Sequence, residues 1–303
     1  MRYFGNNIEL LVNNLVVSYS DQGNDDAPVI IFIHGFPLNK SIWDNQMDAL
    51  KEHYRVIAYD IRGHGNSDAG NEDFSIELFV NDLMVFMNML KIEKASLCGL
   101  SMGGYIALNA IEKYPEKFTS LVLSDTTCKA DSAEAKEKRT KDIRNILENG
   151  VVKYAEDSAK NLFTLNSFKV KKAEVNSVKE MISSTTEQSI CCTLLALASR
   201  NETCSTLSKI NVPVLLMVGE DDKITPPEAL INMHVKIKDS NLQIIENAAH
   251  LSNLENPEAF NEHLKKFFAA VYIDQLNNNS GGDYSLFREI RNKLNMLLSF
   301  RSI

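Results

Sequence analysis

The sequence predicts an α/β fold: a mostly parallel, eight-stranded sheet with helices on both faces and a helical cap inserted after the sixth strand. Three observations carry this prediction. Short apolar runs alternate with helical patterns through the first 125 residues. The alternation stops over residues 126–208, where helical patterns continue without a β-run. It resumes at "PVLLMVGEDD" (213–222).

Taken in order, "IELLVNNLVVSYS" (8–20) reads as two strands joined at Asn13-Asn14, residues that tolerate a left-handed turn. "PVIIFIHG" (28–35) and "YRVIAYD" (54–60) are continuous apolar runs, as expected of strands buried on both faces. Between them "SIWDNQMDALKE" (41–52) is helical. "SIELFVNDLMVFMNML" (75–90) sets Ile76, Phe79, Val80, Leu83, Met87 and Leu90 on one helical face, with Ser75 as N-cap. "KASLCG" (94–99) and "FTSLVLSD" (118–125) are strands five and six, separated by a helix, "GGYIALNAIEKY" (103–114), that Pro115 ends. The insertion reads as several polar or amphipathic helices, "AEAKEKRTKDIRNILENG" and "SVKEMISSTTEQSICCTLLALASR" among them. After strand seven come a helix from Pro226, a strand in "NLQIIENAAH" (241–250) and a helix "PEAFNEHLKKFFAAVYIDQ" (257–275). The organisation is therefore a core of residues 1–125 and 209–275, a cap of 126–208, and a tail of 276–303. The tail opens on the linker-like "LNNNSGGD". It closes on an expected amphipathic helix (284–303) with Leu286, Ile290, Leu294 and Leu297 on one face, a surface for the same chain or for a homodimer, which could also form through the cap.

Composition narrows the function. A formal charge of −8 argues against nucleic acid, whose phosphates need a basic footprint. No run reaches the roughly eighteen apolar residues of a membrane span, and the N-terminus lacks a signal-peptide pattern. Cys98, Cys128, Cys191, Cys192 and Cys204 form no CxxC pair. Their odd number suits a reducing cytoplasm, with each thiol a small buried hydrophobe. No HExxH, no His/Cys cluster and no nucleotide fingerprint is present, so no metal or cofactor is expected.

The chemistry points to "CGLSMGGYIAL" (98–108). Gly99-Leu100-Ser101-Met102-Gly103 is a G-x-S-x-G string between strand and helix, the pattern of a nucleophile elbow. Alone it would arise by chance in about one chain in ten of this length. A serine nucleophile, however, also needs a base oriented by an acid. On this architecture these follow in the order Ser, acid, His, each past a later strand. His53, His234 and His263 lie in helices or in a helix–strand connection, and His34 and His64 precede the serine. His250 remains. The acid is Asp222, past strand seven, or Asp125, past strand six. Oxyanion donors are expected at the amides of Met102 and of Phe36, where Gly35 turns the chain and Pro37 has no N–H. Gly35, Gly99 and Gly103 would be structural at the site, and Trp43 would line the pocket or pack under the loop. One of Lys129, Lys136, Arg139 or Arg144 in the cap is a candidate partner for a substrate carboxylate.

With these residues, the chain resembles an α/β-hydrolase of the esterase, lactonase and cofactor-free peroxidase group. "YDIRGHGNSD" (59–68) is similar to that group's D-x-R-G-H-G-x-S loop, which implies structural roles for Asp60, Arg62, Gly63, His64 and Gly65. "GLSMGG", "LVLSDTTCK" (121–129) and "AAHLSNLENPEAF" (248–260) look most like 3-oxoadipate enol-lactonases. The resemblance spans about residues 8–273 and places the acid at Asp222. It implies hydrolysis of a small ester or lactone through an acyl-enzyme on Ser101. A cofactor-free perhydrolase and a slow-turnover ligand sensor are the alternatives.

Overall fold

The computed structural model describes residues 5–279, with side chains through residue 273. The segment predicted at 284–303 lies outside the described residues. β1 (Gly5–Val12) and β2 (Leu15–Gln22) form the antiparallel hairpin expected at Asn13-Asn14, whose φ values of 51° and 64° are left-handed. β3 (Val29–Ile33), β4 (Arg55–Tyr59), β5 (Ala95–Leu100), β6 (Phe118–Ser124) and β7 (Val214–Gly219) follow, and β8 (Ser240–Ile245) closes the set. The sheet has eight strands in the order β1-β2-β4-β3-β5-β6-β7-β8. It is parallel from β4 through β8 and antiparallel only where β2 pairs with β1 and β4.

Residues of β3 alternate between two apolar clusters, Ile31 and Ile33 in one, Ile30 and Phe32 in the other. This is why the strand reads as an unbroken apolar run. Helices α1 (Asp44–Leu50), α2 (Ile76–Met89) and α3 (Met102–Lys113) follow β3, β4 and β5. α2 starts where Ser75 Oγ accepts the Leu78 N–H at 3.0 Å. Because β3 sits between β4 and β5, successive connections leave it in opposite directions. That opens a crevice at the carboxyl ends of β3 and β5, the usual ligand position in such sheets.

Between β6 and β7 the chain forms α4 (Ala133–Leu162), α5 (Ser167–Val170), α6 (Lys172–Ser184) and α7 (Glu187–Ser199). The expected helix ending at Gly150 continues past it, kinked at that glycine (φ 79°). The segment read as one helix through residue 200 is two, broken at Thr185-Thr186, where Thr186 caps α7 by accepting from the Ser189 N–H. After the cap come α8 (Pro227–His234), α9 (Ser252–Glu255) and α10 (Pro257–Asn279), the last running four residues into the expected linker. Among the described residues no helix is long and apolar enough to cross a membrane.

One expectation fails. Cys128 and Cys204 are not free apolar side chains but a disulfide, with Cα atoms 4.8 Å apart. The chain leaves β6 and returns toward β7 side by side, so residues 76 apart in sequence meet at the base of the cap. There the Thr203 N–H also donates to the Cys128 carbonyl, 2.8 Å away. Cys98, Cys191 and Cys192 are free. The cysteine argument for a reducing compartment falls with this pair.

Candidate active site

Three connections at the carboxyl edge of the sheet converge. Ser101 occupies the single position between β5 and α3, at φ 53° and ψ −110°. A non-glycine residue there carries strain of about 1–3 kcal/mol, offset by its surroundings. Its N–H donates to the Ser124 carbonyl at 2.9 Å, and Thr126 Oγ1 donates to the Ser101 carbonyl at 2.8 Å. A Cβ on Gly99 would strike the backbone of Gly103, and one on Gly103 would strike the Ile33 and His34 carbonyls. A Cβ on Gly35 would fall 2.6 Å from Leu100 Cδ2. Side chains are excluded because three backbones meet at this point, the reason G-x-S-x-G needs its glycines.

Ser101 Oγ lies 2.9 Å from His250 Nε2, and His250 Nδ1 lies 2.8 Å from Asp222 Oδ2. Asp222 Oδ1 accepts from the N–H groups of Ile224 and Thr225 at 2.8 and 3.0 Å, while Thr225 Oγ1 donates to Oδ2 at 2.7 Å. Asp222 and His250 are buried and Ser101 is half-buried. Burial works against the charged form of His250, but the Asp222 carboxylate, helped by Asp125, raises its pKa above the usual histidine value. Burial likewise opposes ionisation of Asp222, and the charge and hydrogen bond of His250 hold its pKa below the carboxylate norm.

Asp125 is close but bonded elsewhere. Its Oδ1 accepts from the Gly219 N–H at 2.8 Å, and its Oδ2 from Ser124 Oγ at 2.5 Å and Ser252 Oγ at 2.6 Å. Burial and the neighbouring Asp222 push its pKa up to about 7. Of the two candidate acids, only Asp222 has a hydrogen bond to the imidazole.

A cavity of about 640 Å³ opens above these groups, walled by Phe36, Pro37, Met102 and Tyr105 from the core and by α4 and α7 from the cap. Among the described residues the N–H groups of Phe36 and Met102 donate to no protein acceptor, which leaves both available to a ligand. Trp43 is not in the wall, contrary to the first of its two expected roles. It ends a 3₁₀ turn (Lys40–Trp43) that folds back on the sheet, and its buried ring packs against Phe32 and Phe260 at 5.0 and 6.2 Å.

Of the four cap cations, Lys129 and Arg139 line the cavity, and Lys136 and Arg144 do not. Sequence reasoning missed Arg200, which lies with its guanidinium 4.3 Å above the Tyr105 ring. It shares the Asp131 carboxylate with Arg139, at 2.5 Å on its own side. Burial disfavours the Asp131 anion, but the two guanidiniums hold its pKa below the ordinary range. Two cations on one anion leave a net positive wall, with Lys129 exposed beside it. Nothing local marked Arg200, since its partner is 69 residues away.

The loop histidines before the serine are structural. His34 Nε2 accepts the Ile61 N–H at 3.0 Å, and His64 Nδ1 pairs with the Arg62 carbonyl at 3.0 Å. Burial, then the nearby His64, lowers the pKa of His34 to about 3, so the ring stays neutral. Arg62 grips Asp82 through Nε and Nη2 at 2.7 and 2.8 Å, and Asp60 accepts Lys40 Nζ at 2.7 Å.

Comparison with known proteins agrees with this architecture. The family described as alpha/beta hydrolase fold matches residues 28–257. A 3-oxoadipate enol-lactonase of Acinetobacter baylyi is 29% identical over 254 residues, covering 83% of this chain and 92% of the relative. A thermophilic esterase from Thermogutta terrifontis superposes with a TM-score of 0.82 at 29% identity, over 87% of this chain and 98% of that one. The enol-lactonase of Burkholderia xenovorans gives 0.81 at 25% identity, over 86% and 99%.

Proposed function

The chain belongs to the alpha/beta hydrolase fold family, and from that premise we propose that it hydrolyses a small carboxylic ester or lactone through Ser101, His250 and Asp222. The observation that carries this reading is the run of two short contacts, 2.9 Å from Ser101 to His250 and 2.8 Å from His250 to Asp222, at the floor of a cavity. Neutral His250 takes the Ser101 proton as the oxygen attacks the carbonyl, and Asp222 stabilises the imidazolium that forms. The Phe36 and Met102 amides receive the oxyanion. His250 returns the proton to the leaving oxygen, then activates the water that releases the acyl group. Ser101→Ala should lower turnover of p-nitrophenyl acetate by at least about 10⁴-fold with an unchanged circular dichroism spectrum. Full activity in that variant would remove the mechanism.

The substrate reading rests on the wall. Lys129, Arg139 and Arg200 suit an ester or lactone that also carries a carboxylate, and one relative is named a 3-oxoadipate enol-lactonase. A charge-assisted hydrogen bond contributes about 1.5–3 kcal/mol. Lys129→Ala should therefore raise KM for an anionic enol-lactone by roughly tenfold or more and leave KM for a neutral methyl ester unchanged. Equal effects on both would set aside the anionic substrate.

A further inference from the structure

His250 lies on the connection between β8 and α9, and the residue before it is held from an unexpected direction. The Ala249 N–H donates to Glu255 Oε2 at 2.6 Å. The other oxygen of that carboxylate faces the cap: Glu255 Oε1 accepts from the Thr164 N–H at 2.8 Å and from Ser167 Oγ at 2.5 Å. Thr164 lies in the α4–α5 connection and Ser167 begins α5. Glu255 is buried, and so are Ala249 and Ser167. One carboxylate thus bridges the histidine loop and a cap segment about ninety residues away in sequence.

We propose that Glu255 is a positioning residue through which the cap sets the alignment of His250. The inference rests on His250 acting as the base. A buried carboxylate must be fully hydrogen-bonded, and its bonds are short and directional. If α5 moves, Oε1 must follow Thr164 and Ser167 or lose them, and the rigid carboxylate carries Oε2 with it. The Ala249 amide, one peptide unit from His250, then moves as well. A displacement well under 1 Å is enough to spoil a 2.9 Å contact between imidazole and hydroxyl, because proton transfer needs hydrogen-bond reach. Neither Glu255 nor Ser167 lines the cavity, so their substitution reaches the reaction only through this bridge.

Two variants separate coupling from mere support. Glu255→Gln retains one acceptor oxygen, enough for the Ala249 N–H, but turns a donor toward the Thr164 N–H. Ser167→Ala removes the bond to Glu255 Oε1 and the one shared with Thr164 Oγ1, both on the cap side, and leaves the Ala249–Glu255 bond in place. Both should lower kcat for p-nitrophenyl acetate by five- to tenfold with KM within twofold of the parent. The double variant should be no slower than Glu255→Gln alone, as groups in one linkage are non-additive. A thermal midpoint that falls while kcat holds in both variants would make Glu255 a structural prop and overturn the proposal. If Glu255→Gln does not fold, an unchanged kcat in Ser167→Ala overturns it alone. Failure of the hydrolase reading is distinguishable, since it would appear as full activity in Ser101→Ala.

Discussion

Asp222 and Asp125 both raise the same imidazole, and their bonds divide the roles. Only Asp222 meets Nδ1, so Asp222→Asn presents the wrong group to the ring. It should cost about 10⁴-fold in kcat, as loss of an orienting acid does in serine hydrolases of this type. Asp125→Asn can keep Oδ1 on the Gly219 N–H while its amide donates to the Ser124 and Ser252 hydroxyls in place of accepting from them, and it leaves the Asp222–His250 bond in place, so kcat should fall far less. The pH dependence has a definite sign. On the proposed mechanism His250 must be neutral to act as base, and its pKa is raised, so the acid limb of kcat/KM should have its midpoint above 6.5, the ordinary histidine value. Asp125, with a pKa of about 7, is ionised only over the upper part of that limb, so deleting its anion should move the limb to lower pH only slightly. Parallel pH–rate profiles of the three proteins measure this. A larger kcat loss in Asp125→Asn than in Asp222→Asn would reassign the acid. At this scale the sequence pointed to Ser101 by its G-x-S-x-G string and to His250 by elimination, while the acid needed resemblance, because two aspartates follow two adjacent strands. Thr225, which donates to Asp222, was invisible, since a threonine after an acidic turn has many ordinary uses.

Elements were legible where their pattern was imposed by burial on both sides. The runs at 28–35 and 54–60 had to be strands because neither face meets water. The cap helices were legible only as helical, since a half-exposed stripe fixes period and not ends. The Thr185-Thr186 break and the continuation past Gly150 depend on how α4, α6 and α7 pack together. The elbow is the opposite case, an element junction fixed by sterics. Gly103→Ala drives a methyl into the Ile33 and His34 carbonyls, where β3 and α3 are both anchored and backbone atoms cannot rotate away. Overpacking of this kind should cost about 2–3 kcal/mol or more, read as a lower urea midpoint with an unchanged m-value. A variant as stable as the parent would mean that β3 and α3 separate more easily than their packing implies.

For the whole molecule, the Cys128–Cys204 bond left no trace in the sequence, because the proximity of residues 128 and 204 is created by the insertion's closing on itself. Two cysteines 76 residues apart, among five without a motif, carry no pairing information. The bond nonetheless bears on the entire cap, since it closes a loop containing all four cap helices and abuts Lys129, Asp131 and Arg200 in the cavity wall. On the chain-entropy account a cross-link over that span restricts the unfolded chain by about 4 kcal/mol, which in a protein of this size corresponds to a melting shift on the order of 10 °C. The Cys128→Ser/Cys204→Ser variant and the parent in excess dithiothreitol should therefore melt at similar, lower temperatures than the oxidised parent. Thiol titration in denaturant should count three free cysteines before reduction and five after, since two of the five are paired. Five thiols before reduction would show the two sulfurs unbonded in the isolated protein. The cap base would then be joined by hydrogen bonds from Thr203 to the Cys128 carbonyl and from Arg200 to Asp131 and the Lys129 carbonyl, without a covalent link, and the variant would melt with the parent.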